Sequence, residues 1–136
     1  MTTYVLDSSA VLRYVDDGPG ADRFEAVLAL GVSGEAMLTI SAIQWGEIAG
    51  KIRKRFGEID EMRILGSLLP SEVAIVPATA DRAVRAAAFK VDKNLAYADS
   101  FALELAMESP DRVLLTADYG FKTVDDLARI EFLPLK

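Results

Sequence analysis

The chain has 136 residues, 51% of them apolar, and its 15 basic and 21 acidic side chains leave a net charge of −6. A single domain spanning residues 1–136 is expected, large enough to bury one core without staples. Cysteine and histidine are both absent. Disulfides, thiolate or imidazole metal sites, Cys nucleophiles and Ser-His-Asp catalysis are therefore excluded, which leaves carboxylates, hydroxyls, amines and guanidinium groups for chemistry.

The first element is a short apolar run, Tyr4-Val5-Leu6, which reads as a buried strand ending at Asp7. Helices are predicted from Ser9 to Val15 and from Ala21 to Leu30, with a break over Gly31 to Gly34. A second strand covers Met37 to Ile40. Ser41 is placed to cap a helix running through Ile43, Glu47, Ile48 and Ile52 to Gly57. Another helix, Ile59 to Leu69, stops at Pro70, and the strand Val73 to Val76 stops at Pro77. Thr79 or Asp81 opens an alanine-rich helix to about Lys90, and a further helix spans Tyr97 to Glu108. The strand Val113 to Leu115, a short helix from Thr123 to Arg129 and the strand Ile130 to Leu133 complete the pattern.

Short strands without alternation, separated by helices, predict an α/β fold: a three-layer α/β/α sandwich around a mainly parallel sheet of four to five strands. No leader segment or run of ~18 uninterrupted apolar residues is seen, so a soluble, cytoplasmic protein with no membrane role is expected.

Ligands of such sheets bind beyond the carboxyl ends of the strands, at a topological switch point. Acidic residues at strand exits and helix starts are the candidates: Asp7, Glu47, Asp99 and Asp118. They meet in one crevice if strands one, two and four are neighbours. Two carboxylates ~4 Å apart repel by about 4 kcal/mol at an effective dielectric near 20, so a cluster needs a cation or raised pKa values. An all-oxygen set favours Mg²⁺ or Mn²⁺, and metal-assisted phosphodiester hydrolysis is the chemistry that fits. Each residue also has a plainer role open to it. Asp7 can cap a helix, Glu47 can pair with Lys51 on a helix surface, Asp99 can answer a helix dipole, and Asp118-Tyr119-Gly120 can form a turn.

Four segments, in order, resemble the PIN-domain family, and in particular its small VapC-type toxins. VLDSSA resembles the opening motif, with Asp7 and the hydroxyl of Ser9. ISAIQWGEI resembles the segment bearing a helical glutamate at Glu47. LAYADSFALELA places an aspartate at Asp99, followed by Ser100 where relatives commonly have Ala. LLTADYGF carries a Thr-x-Asp element at Thr116 and Asp118. The resemblance implies a PIN-like fold and a Mg²⁺- or Mn²⁺-dependent endoribonuclease acting as the toxin of a type II toxin–antitoxin pair. It also implies a cognate antitoxin and a homodimer. Asp7, Asp99 and Asp118 would hold metal, Glu47 would orient water, and Ser9 and Thr116 would support them.

Lys51, Arg53, Lys54 and Arg55 form a basic run that suits RNA phosphates, with Arg82, Arg85, Lys90 and Lys93 as a looser second set. The first run also reads as a solvated helix end. Tyr14, Trp45 and Phe56 are candidates for base stacking or a partner interface, with core packing the alternative. A phosphotransfer receiver domain is opposed by the acid-free exit Pro77-Ala78-Thr79, and an Asp-x-Asp phosphatase by Ser9. A catalytically inactive PIN-like interaction module stays open.

Overall fold

A computed structural model describes all residues, Met1–Lys136. Five strands form one sheet: β1 (Thr3–Leu6), β2 (Met37–Ser41), β3 (Val73–Val76), β4 (Arg112–Thr116) and β5 (Arg129–Phe132). Their order is β3-β2-β1-β4-β5, and every neighbouring pair is parallel. The helices are α1 (Ser8–Val15), α2 (Ala21–Val32), α3 (Ala42–Phe56), α4 (Glu58–Leu68), α5 (Ala80–Lys93) and α6 (Tyr97–Ala106), with a 3₁₀ turn at Tyr119–Val124.

The central strands are apolar at successive positions because both faces are covered. Leu6 and Leu115 pack with Val11, Phe24 and Ile48 on the side of α1, α2 and α3. Val5 and Leu114 pack with Leu103 and Leu105 of α6 on the other. The result is the expected three-layer sandwich. Strand β1 pairs with β2 on one side and β4 on the other, with Leu6 beside Leu115. The chain reverses its direction of travel across the sheet here, so the switch point lies at the carboxyl ends of β1 and β4.

Local chemistry starts the helices where the sequence places them. Ser41 accepts the Ile43 N–H at 3.2 Å to cap α3, and Thr79 rather than Asp81 caps α5 by accepting the Arg82 N–H at 3.3 Å. Two expectations are corrected. The part of the predicted Gly31–Gly34 break at Gly31 and Val32 is absent, since α2 continues to Val32 and the break begins at Ser33. Gly31 is instead a packing position, where a Cβ would sit 2.5 Å from Leu38 Cγ. The short helix predicted from Thr123 to Arg129 is also absent. Winding starts earlier, because the Asp118 carboxylate accepts the Gly120 N–H at 2.8 Å and sets the 3₁₀ turn, while Arg129 already belongs to β5.

Candidate active site

Asp7 is the first residue beyond β1. Its N–H extends the β1–β4 ladder by donating to the Leu115 carbonyl at 3.0 Å, and its side chain caps α1. It is 1% exposed. Oδ2 accepts from the Ser9 hydroxyl, from the Thr116 hydroxyl at 2.8 Å and from the Ser9 N–H at 3.3 Å. Each hydroxyl has one proton. With those protons directed at Asp7, the oxygens accept from the next segment: Ser9 Oγ from the Ala117 N–H and Thr116 Oγ1 from the Asp118 N–H, both at 2.9 Å. The start of α1 is thereby latched to the exit of β4. Oδ1 of Asp7 has no partner at all, although it is buried.

Burial pushes the Asp7 carboxyl above its ordinary range, against the hydrogen bonds from Ser9 and Thr116 that favour the anion. Asp99, third residue of α6, is half-buried, and its pKa is pushed up to about 7. Burial is the largest cause, followed by repulsion from Asp7, Asp118 and Glu47, with Lys51 opposing. All four predicted acids therefore share one electrostatic neighbourhood. They do not form a closed cage: no three acidic side chains converge closely enough to hold an ion as they stand.

Glu47 accepts a hydrogen bond from the Ser8 hydroxyl. It makes no ion pair with Lys51, so the surface-pair reading does not apply. Asp118 is exposed and caps the 3₁₀ turn. Asp7 and Asp118 thus each cap a helical turn and also act electrostatically on Asp99. The donors suit a hard divalent ion: all are oxygens, one buried carboxylate oxygen is unpartnered, and their mutual repulsion is what a cation relieves. Such an ion keeps several waters, so an open arrangement of carboxylates does not exclude it.

The largest cavity, about 470 Å³, lies elsewhere, between Ala106–Arg112 and Asp125–Arg129 near the amino end of β4. Its Arg112 is occupied by Glu108 and the Leu105 carbonyl. The candidate carboxylates gather at the opposite end of that strand.

Residues 4–127 match the family model of the PIN domain. The chain belongs to the PIN domain family. No curated protein is a significant match. Solved structures with the same fold include a VapBC2 of Rickettsia felis bound to a promoter DNA fragment, at 19% identity and TM-score 0.75 over 98% of this chain and 100% of that one. The VapC20 toxin of Mycobacterium tuberculosis, described as cleaving the sarcin-ricin loop, is 16% identical with TM-score 0.73 over 96% and 99%. VapBC-1 of nontypeable Haemophilus influenzae is 18% identical with TM-score 0.67 over 96% and 98%.

The expected basic residues of this PIN-family chain divide. Arg53 is held by Glu58 and Glu61, and Arg55 by Asp16. Lys51 and Lys54 are exposed and unpaired, and Lys51 acts electrostatically on Asp99. In the second set, Arg82 binds Glu104 at 2.9 Å and Glu108 at 3.1 Å, and Arg85 binds Glu104 at 3.1 Å. Those two cations neutralise a buried carboxylate rather than awaiting phosphate. Tyr14 and Trp45 pack on the core, whereas Phe56 stays exposed beneath the Arg55 guanidinium, 4.8 Å from its ring centre. Sequence reasoning passed over Ser8, which orients Glu47, and Gln44, which lies fully buried one helical turn before it.

Proposed function

We propose that this PIN protein is a Mg²⁺- or Mn²⁺-dependent endoribonuclease and the toxin of a toxin–antitoxin pair. The observation that carries the reading is the unpartnered buried oxygen of Asp7, beside three further carboxylates at the switch point. A bare, buried carboxylate oxygen is costly unless something positive satisfies it. PIN membership supports nuclease chemistry. The sarcin-ricin loop cleaving activity named for one similar structure, and the VapBC pairing of others, support RNA as substrate and an antitoxin as partner. A homodimer working in the cytoplasm belongs to the same proposal. No helix is long and apolar enough to cross a membrane.

Asp7, Asp99 and Asp118 would hold the cation. When bound, the ion lowers the pKa of water and offsets charge growing on the phosphoryl group. The protein's own groups supply the geometry. Ser9 and Thr116 fix Oδ2 of Asp7 and so aim Oδ1. Glu47, steadied by Ser8, accepts a hydrogen bond from the attacking water and orients it. Lys51 and Lys54 meet RNA phosphates and offset the negative field that the substrate approaches.

The test is cleavage of total RNA with Mg²⁺, with Mn²⁺ and with a chelator, alongside thermal unfolding in each. Metal-dependent cutting that Asp7→Asn abolishes, together with a raised unfolding midpoint on adding either ion, is the expected result. Absence of both effects would leave the protein an inactive interaction module.

A further inference from the structure

Gln44 lies on α3, fully buried, and belongs to none of the groups assigned to the cation. Both ends of its amide are engaged. Oε1 accepts the Ser8 N–H at 2.6 Å, and Nε2 donates to the Ala98 carbonyl at 2.7 Å. Ser8 directly follows Asp7, and Ala98 directly precedes Asp99. The two partners are opposite in kind, one a donor and one an acceptor, and the two ends of the amide match them. The Ser8 N–H is one of the first-turn amides that a helix cannot satisfy internally. One turn further along α3, Glu47 takes the hydroxyl of the same Ser8.

The sheet separates Asp7 and Asp99 in a specific way. The core against which α1 packs lies on one face, and the core containing α6 lies on the other. Helix α3 packs against both helices. Its Gln44 is the side chain that joins them by hydrogen bonds just where their carboxylates repel.

We propose that Gln44 is a positioning residue that fixes the separation of Asp7 and Asp99 and thereby sets the affinity of the site for its divalent cation. The inference rests on the cation reading given above. Groups bonded directly to metal ligands typically change metal affinity about 10–100-fold when removed, and Gln44, acting one residue away, is set at the lower end of that range.

The test compares wild type with Gln44→Met, which keeps length and apolar packing but makes neither bond, and Gln44→Asn, whose amide is one methylene too short to span both partners. Gly31→Ala, which overpacks α2 against β2 away from the site, is the control for destabilisation alone. Mn²⁺ itself is the probe, titrated by electron paramagnetic resonance and by the rise in thermal midpoint, with RNA cleavage measured across the same concentrations. The Mn²⁺ concentration for half-saturation should rise about 10-fold or more in both Gln44 variants, with cleavage recovering toward wild type at saturating Mn²⁺. Gly31→Ala should keep the wild-type requirement. Should Gln44→Met fail to fold, Gln44→Asn decides. A folded Gln44 variant that loses stability but binds Mn²⁺ as wild type does would overturn the proposal. Wild type that neither binds Mn²⁺ nor cuts RNA would overturn the cation reading and this inference together, a result distinct from the first.

Discussion

Replacing Asp99 with asparagine tests whether burial and the neighbouring acids make its ionisation costly in the folded protein. The folded protein holds the Asp99 proton up to about pH 7, whereas the unfolded chain releases it near the ordinary value of 3.8. Folded pKa above unfolded pKa means that the stability contributed by the protonated form is complete below pH 3.8. It is lost as pH rises through about 7. The shift is about three units, or about 4 kcal/mol at ~1.4 kcal/mol per unit. Asp99 is only half-buried, so solvent screening reduces this to about 1–2 kcal/mol. The amide in the Asp99→Asn variant has nothing to titrate. Without divalent ions, wild type should therefore lose about 1–2 kcal/mol relative to Asp99→Asn between pH 4 and pH 8, or about 3–8 °C in midpoint. Thermal unfolding of both proteins at half-unit pH steps measures the gap directly. Adding Mg²⁺ at pH 8 should raise the wild-type midpoint and leave that of the variant nearly unmoved. A gap constant from pH 4 to pH 8 would refute the claim that burial, together with Asp7, Asp118 and Glu47, raises the Asp99 pKa.

Thr116→Val removes a donor to Asp7 and the acceptor of the Asp118 N–H at a fully buried position. Denaturant unfolding should show a loss of about 1–3 kcal/mol, and a loss below about 0.5 kcal/mol would contradict the latch. Gly31→Ala forces Leu38 aside and should cost about 1–3 kcal/mol by the same measurement, with cleavage unchanged once the protein is folded. Lys51→Ala with Lys54→Ala should weaken RNA binding and lower the salt slope of log affinity by about 1–2, whereas Arg53→Ala, whose cation is already paired, should change neither; binding titrations across a salt series separate them.

Much of the candidate site's placement was legible because it follows from strand order. Asp7 stands at the exit of an apolar run, and a parallel sheet makes strand exits the place for chemistry. Placing β1 between β2 and β4 then brings Asp118 to the same end. Other features were not legible, because the partners that define them lie far along the chain. Gln44 in ISAIQWGEI looks like any polar position on a helix. Its meaning comes from Ser8, 36 residues before it, and Ala98, 54 residues after it. Arg82 and Arg85 read as free cations for the same reason, since Glu104 is recognisable as their counter-ion only once α5 packs on α6. The 3₁₀ turn was misplaced because a carboxylate capping two residues ahead, Asp118 on Gly120, outweighs the helical look of Thr123 to Arg129.

The latch between Asp7 and Thr116 joins groups 109 residues apart. During synthesis, the first acid emerges from the ribosome almost at once, yet one of the two hydroxyls that orient it and one of the two strands that flank β1 come near the end. A nascent or truncated polypeptide lacking β4 would leave Oδ2 of Asp7 to Ser9 alone, without the second hydroxyl that completes its orientation. The latch itself can close only after the β4 segment has been made and has paired with β1.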